Sequence, residues 1–217
     1  MLASLVNLIA PLECLICGNE GDVICATCLP RAVAVKTPTC YRCNRLSSDG
    51  RTCNSCRSSS KLSGVLVASH YEGPVKQAIT KLKYENLRAA AGSLAKLVTP
   101  LLSGEYDVIT SVPPATNRLR QRGFDHGALI ARAVAAASQI PYRPLLRRAA
   151  NIQQVGKSRE QRLAQARGVF TYRKPLNDQR VLIIDDVVTT GATLAACTSE
   201  LKAAGAKSVW AAVAAKH

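Results

Sequence analysis

Two adjacent carboxylates, Asp185 and Asp186, stand between an apolar run and a turn rich in hydroxyls: Val181-Leu182-Ile183-Ile184-Asp185-Asp186-Val187-Val188-Thr189-Thr190-Gly191-Ala192-Thr193. The four leading apolar residues predict a strand buried on both faces, as a parallel sheet requires. The acids follow where such a strand leaves its sheet, and the turn predicts a helix beginning near Ala192. A helix N-terminus aims free N–H groups and the positive end of its dipole at an anion. Gly191 lets backbone approach closely, and the hydroxyls of Thr189, Thr190 and Thr193 can donate to phosphate oxygens. Asp185 and Asp186 are acceptors placed for ribose hydroxyls beside an oxygen-liganded Mg²⁺. The chemistry this order serves is the binding of a phosphorylated sugar. Asp and Thr are also ordinary helix caps, but two acids and three threonines around one glycine exceed what capping needs. The chain lacks the Gly-Lys-Ser/Thr of a nucleoside-triphosphate loop and the Gly-x-Gly-x-x-Gly of a dinucleotide fold.

A second constellation lies at the other end of the chain. Eight of nine cysteines form four Cys-x-x-Cys pairs, Cys14/Cys17, Cys25/Cys28, Cys40/Cys43 and Cys53/Cys56. Each pair can grip one ion with two thiolates, and two pairs complete a tetrahedral tetrathiolate zinc site. The simplest pairing gives two zinc ions, on Cys14/17/25/28 and Cys40/43/53/56; an interleaved pairing or a single filled site also fits the spacing. Disulfides and an iron–sulfur cluster are the competing readings, yet neither needs four evenly built knuckles. An all-cysteine site has no open coordination position, so its expected role is structural, supplying the folding free energy of a module too small and polar for its own core. Cys197 stands alone on a predicted helix as a small buried hydrophobe.

Between these ends the chain is strongly basic. Residues 117–174 hold thirteen Lys and Arg against only Asp125 and Glu160, within a chain of net charge +15. Arg118, Arg120 and Arg122 come directly after a predicted strand end at Pro113-Pro114, which makes this segment a candidate pyrophosphate loop, because Arg binds phosphate oxygens bidentately. The polar stretch Gln153-Gln154-Val155-Gly156-Lys157-Ser158-Arg159-Glu160-Gln161-Arg162 suits a loop that closes over substrate. His126 beside Asp125 is a candidate general base, or a cap or spectator. Single-stranded nucleic acid is a competing partner for the basic surface, although Phe124, Tyr142, Phe170 and Tyr172 give few aromatics for base stacking.

The elements that must position these groups follow from periodicity. With 217 residues, the chain suits one domain plus a small module, divided here as a zinc-ribbon module with a short N-terminal helix (1–63) and an α/β domain (64–217). The Ser-rich residues 58–63 read as the linker. Strands are expected at residues 65–71, 106–112, 142–146, 181–185 and 208–214. Helices are expected at 75–84, 87–102, 124–138 and 192–204, with Leu82, Leu87, Leu94, Leu97 and Val98 buried and Trp210 in the core. This alternation predicts an α/β fold with a mainly parallel sheet, whose ligands bind outside the carboxyl ends of the strands. Aromatic residues are only 4% of the chain, so Ala, Val, Leu and Ile must fill the core. No apolar run approaches the ~20 residues that span a bilayer. Residues 1–11 lack the basic start and cleavage site of a signal peptide and fit a short amphipathic helix through Leu2, Leu5, Val6 and Ile9.

The turn at residues 189–193 resembles the phosphoribosyl pyrophosphate (PRPP) loop of type I phosphoribosyltransferases. Taken with the cysteine knuckles, Val112-Pro113-Pro114, Arg118-Leu119-Arg120-Gln121-Arg122-Gly123-Phe124 and Gln154…Ser158-Arg159…Arg162, the chain from about Leu12 onward resembles the ComF family. That resemblance implies a type I phosphoribosyltransferase-like parallel sheet flanked by helices, with an N-terminal zinc ribbon. It implies PRPP bound with Mg²⁺, the 5-phosphate held by residues 189–193, the ribose by Asp185 and Asp186, and the pyrophosphate by Arg118, Arg120 or Arg122. It further implies a cytoplasmic protein linked to natural competence and DNA uptake, with single-stranded DNA or a competence helicase as partners. The alternative it carries is a non-catalytic or PRPP-sensing competence factor. Two positions depart from the family pattern: Asp125-His126 stands where Asn-Gln is usual, and Lys157 where Leu is usual. The 6-oxopurine salvage enzymes carry an acid at the position of Thr189, which argues against that acceptor.

Overall fold

The computed structural model describes residues 11–33, 35, 37–148 and 170–217. The expected closing loop at 153–162 and the N-terminal amphipathic helix lie outside the described residues.

A four-stranded parallel sheet, in the order β1-β6-β5-β2, organises the chain. Its strands are β1 (Gly64–His70), β2 (Val108–Ser111), β5 (Arg180–Val188) and β6 (Ser208–Lys216). Side chains alternate across a strand, and β5 shows why its run is apolar throughout. Leu182 and Ile184 face one core, with α3 (Gly73–Tyr84), α4 (Ala90–Val98) and α6 (His126–Ser138). Val181 and Ile183 face the other, with Leu194, Cys197 and Leu201 of α7 (Ala192–Ala203). In β6, Ala211, Ala212, Ala214 and Ala215 are fully buried, and such short side chains let helices approach both faces closely. Trp210 is only partly buried, against the α3–α4 side.

The residues expected to form a strand at 142–146 divide. Tyr142 makes one parallel bridge to Ile109, beyond β2, while β3 (Leu146–Arg148) pairs antiparallel with β4 (Phe170–Tyr172) in a separate ribbon. The expected 87–102 helix is shorter, because Pro100 turns its end into a 3₁₀ segment, Thr99–Leu101.

The cysteine-rich residues are seated against this body. Val23, Ile24, Cys14, Cys28 and Ala32, the last on α1 (Leu29–Ala32), join the core beneath α4. Ser93 of α4 accepts a hydrogen bond from Ile24 N at 3.1 Å, and Lys96 pairs with Asp22 at 2.7 Å. The expected linker follows α2 (Asn54–Arg57) and is tied down at its end. Leu62 is buried, and Ser63 N donates to Val209 O of β6 at 2.8 Å.

Candidate functional site

The two acids are set by unequal strand lengths. Strand β2 stops pairing at Ser111, opposite Ile184 of β5, whereas β5 continues along β6 to Val188. Asp185 and Asp186 therefore lie within β5, past the end of β2, rather than after the strand as the sequence suggested. The gap beside them is lined by Val112, Pro113 and Pro114. A cavity of about 650 Å³ opens there, with Lys83, Arg118, His126, Arg148, Thr189 and Thr193 also on its wall.

Consecutive strand residues point to opposite faces, and the acids meet different surroundings. Asp186 is buried on the α3–α6 side. Lys83, near the end of α3, forms an ion pair with its Oδ2, and His126 Nε2 lies 3.8 Å from its Oδ1. Burial alone would raise the Asp186 carboxyl, but the His126 contact and the Lys83 charge overrule it and hold the group below the usual carboxylate range. Asp185 accepts a hydrogen bond from Asp186 N at 2.9 Å. Burial, then the neighbouring Asp186 charge, push the Asp185 carboxyl well above its usual range. The proton affinities of the two carboxyls are thus pushed in opposite directions at the same rim.

The arginines expected in a loop form a helix, α5 (Thr116–Arg122), which ends at Gly123 in the left-handed conformation at φ 73°. On this helix Arg118 and Arg122, four residues apart, share a face, and Arg120 leaves it on another. Arg118 lines the cavity, while Arg120 is exposed away from its wall. Arg122 reaches His126 Nδ1 at 3.1 Å and lies over the Tyr84 ring at 5.2 Å. Asp125 caps α6 by accepting from Ala128 N at 2.9 Å, leaving His126 to face Asp186. At the turn, Gly191 caps α7 at φ 73°, where a non-glycine residue would be strained. Thr189, Thr190, Ala192 and Thr193 are exposed around it, and Thr190 Oγ1 accepts from Ala192 N at 3.4 Å.

Residues 125–217 match the family model of the phosphoribosyl transferase domain. The match covers α6, β5, the acids, the hydroxyl-rich turn and β6, and the fold is a phosphoribosyltransferase-like parallel sheet with flanking helices. Similar solved structures include glutamine PRPP amidotransferase from B. subtilis, at 24% identity and a TM-score of 0.46 over 58% of this chain and 26% of that one. Purine phosphoribosyltransferase from Pyrococcus horikoshii is 24% identical, with a TM-score of 0.34 over 64% of this chain and 71% of the other. Adenine phosphoribosyltransferase from Thermoanaerobacter pseudethanolicus is 18% identical, with a TM-score of 0.40 over 66% and 84% of the respective chains. The chain thus spans about a quarter of the amidotransferase it resembles. No curated protein matches it.

Outside the phosphoribosyl transferase domain match, the cysteines gather in the simpler of the predicted pairings. Sγ atoms of Cys14, Cys17, Cys25 and Cys28 all lie within 4.8 Å of one another, as do those of Cys40, Cys43, Cys53 and Cys56. Tetrahedral Zn–S bonds of about 2.3 Å place sulfurs about 3.8 Å apart, and Cys17–Cys25 and Cys43–Cys53 stand at 3.7 and 3.5 Å. The clusters share one local plan. A hairpin carries the first pair, through Cys14 N→Asn19 O or Cys40 N→Arg45 O, and a helical turn carries the second.

Their proton affinities fit a cation. Burial opposes ionisation of Cys14, but N–H groups led by that of Cys25 bring its thiol down to about 6. The Ser55 hydroxyl and the Cys43 thiol lower Cys53 to about 6. Burial and the neighbouring thiols push Cys28 and Cys56 up to about 12. Each cluster therefore resists its last ionisation unless a cation compensates. Cys197 is separate, on the buried face of α7.

Lys83 had no sequence signal. It lies about a hundred residues from the acids, in a helix whose three lysines read as a solvated face. His126 was readable as a candidate, although its partner, Asp186, was not. Among the described residues no helix is long and apolar enough to cross a membrane.

Proposed function

We propose that this protein binds PRPP with Mg²⁺ and transfers its phosphoribosyl group to an acceptor nucleophile. The observation that carries this reading is one cavity wall shared by Asp185, Asp186, Thr189, Thr193 and the cations Lys83 and Arg118, within a region matching the phosphoribosyl transferase domain. Backbone N–H groups and hydroxyls of residues 189–193 hold the 5-phosphate at the start of α7. Asp186, charged, and Asp185 accept from the ribose hydroxyls. Lys83 and Arg118 neutralise the departing pyrophosphate, which takes the electron pair of the C1–O bond while the acceptor bonds to C1 and gives its proton to solvent. Mg²⁺, bound with PRPP beside Asp185 and Asp186, would supply further charge neutralisation. The residues contribute positioning and fixed charge rather than covalent chemistry. The eight clustered cysteines hold two structural zinc ions.

Calorimetric titration with PRPP and Mg²⁺, beside the double variant Asp185→Asn/Asp186→Asn, tests the reading. Saturable binding that the variant loses is expected, and absence of binding by the intact protein refutes it.

The ComF resemblance carries a second reading, a competence factor that binds single-stranded DNA. Exposed Arg120 on α5 and the exposed Arg42, Arg45 and Arg57 of the second cysteine cluster favour it. Fluorescence anisotropy with a labelled oligonucleotide should then show affinity that falls steeply with salt. Binding absent at low salt removes this reading and leaves the first untouched.

A further inference from the structure

Tyr41 lies inside the first knuckle of the second cluster, between the ligand candidates Cys40 and Cys43, yet its ring reaches the far end of the site. The ring covers Gly191. A Cβ added to that glycine would lie 2.5 Å from Tyr41 Cε2 and 2.6 Å from Cδ2. Tyr41 is only 5% exposed and packs in the core of α7, with Val188, Leu194 and Leu201. Its hydroxyl is fixed by Ser60 Oγ at 2.7 Å. A second tie runs parallel to it: Lys216 Nζ, at the end of β6, donates to Asn44 Oδ1 at 2.5 Å. Lys216 is the register partner of Val188, immediately before the hydroxyl-rich turn. The knuckle therefore braces both the turn and the strand beside it.

The requirement for glycine at position 191 is then twofold. The backbone there is left-handed, and the α carbon bears an aromatic ring where a side chain would stand. A phosphate-binding turn depends on N–H groups held in fixed directions, and the described contacts of Gly191 put that rigidity in Tyr41. The first cluster makes no comparable contact among the described residues. It seats on α4, through Ile24 and Ser93.

We propose that Tyr41 is a positioning residue that couples the second tetracysteine cluster to the phosphate-binding turn, so that metal in that cluster and anion at the turn stabilise one another. The inference rests on the PRPP reading for its ligand but not for its contact. Coupling between sites is reciprocal. Metal-supported Tyr41 should strengthen PRPP binding, and PRPP should slow metal loss from Cys40, Cys43, Cys53 and Cys56 while leaving Cys14, Cys17, Cys25 and Cys28 unchanged.

The test uses the full zinc-loaded chain, with Tyr41→Ala, Tyr41→Phe and Gly191→Ala. A zinc-selective chelator that spares Mg²⁺ is added with or without PRPP, and cysteines freed of metal are alkylated and located by mass spectrometry. Several-fold protection by PRPP is expected, confined to the second cluster, lost in Tyr41→Ala and kept in Tyr41→Phe, which retains the ring. PRPP affinity should fall about tenfold in Tyr41→Ala, an interaction of about 1.4 kcal/mol by the standard conversion. Equal protection of both clusters, or wild-type affinity and protection in Tyr41→Ala, overturns the proposal. Amide hydrogen exchange of peptides covering 187–195 provides the ligand-free arm. Faster exchange is expected in Tyr41→Ala, and unchanged exchange overturns the coupling. Gly191→Ala presses on the Tyr41 ring from the turn side without changing any knuckle residue, so it should hasten zinc loss from the second cluster alone; unaltered loss also overturns the coupling. If the wild-type chain binds no PRPP, the functional reading falls, and the exchange and Gly191→Ala arms still decide the contact.

Discussion

Replacing Lys83 with Met removes the cation that faces Asp186 while keeping the length of the side chain. The two side chains are 18% and 7% exposed, so solvent screens the pair little. Removing one partner of a buried pair costs about 3–5 kcal/mol because the other charge is left uncompensated. Here the cost should be lower, about 2–4 kcal/mol at pH 7, since His126 still faces Asp186 at 3.8 Å and the carboxyl can escape by taking a proton. The pH dependence follows from the direction of the Asp186 shift. A carboxyl held below its unfolded value contributes stability above the ordinary carboxylate range, and loses it as pH falls toward the folded value. Lys83→Met removes the Lys83 share of that contribution while His126 keeps the rest, so the gap from wild type should be widest near neutral pH and narrow as pH falls below the ordinary carboxylate range, under about pH 4. Urea denaturation at pH 7.5, 4 and 2.5 measures it. The double variant Lys83→Met/Asp186→Asn removes both charges and should recover more than half of the loss at pH 7.5. A single variant within about 0.5 kcal/mol of wild type, a gap independent of pH, or a double variant no better than the single, would refute the assignment of this pair as the compensated charge of the site.

Three further outcomes are expected. Because burial and the Asp186 charge push the Asp185 carboxyl up, binding of PRPP with Mg²⁺ should favour its ionised form and release protons; calorimetry in buffers of differing ionisation enthalpy detects the release, and Asp185→Asn should reduce it. Arg118→Ala should weaken PRPP binding about tenfold, or roughly 1.4 kcal/mol, whereas Arg120→Ala, outside the cavity wall, should leave it unchanged in the same titration. Metal analysis should find two zinc ions per chain; chelation should lower the thermal midpoint, because Val23 and Ile24 lose the framework that seats them under α4.

Much of this architecture was legible because its signals are local. The run at residues 181–184 demands two covered faces, and both exist. Cys-x-x-Cys spacing predicts knuckles, and the proximity of sulfurs selects the sequential pairing. What the sequence hid was contact between elements. Nothing in Lys81-Leu82-Lys83-Tyr84 distinguishes the lysine aimed at Asp186 from the one paired at 2.9 Å with Glu85 along its own helix. Tyr41 reads as knuckle filler until Gly191 lies beneath it. The conformation of the arginine segment was misread for a local reason: the strand end at Pro113-Pro114 suggested a loop, but Thr116 and the following residues carry no helix breaker before Gly123. The extension of β5 was equally hidden, since a strand's length beyond its neighbour depends on where the neighbour stops.

That extension explains why the proton affinities of two neighbouring acids are pushed in opposite directions. Had β5 ended at Ile184, Asp185 and Asp186 would have entered a loop, free to turn together into solvent with ordinary, similar affinities. Held in the ladder with β6, they must face opposite sides of the sheet, and each side was built by different elements. The α3–α6 side supplies Lys83 and His126 to Asp186. On the other side Asp185 receives burial and the charge of its own neighbour, and nearby Cys197 is kept a thiol by burial first and by the Asp185 charge second. Divergent environments imposed on paired carboxyls are how one site offers both an acceptor and a proton donor at neutral pH. Here the divergence comes from strand alternation itself. Moving the acids one residue along β5 would exchange their roles, which ties the proton chemistry of the rim to the register between β5 and β6.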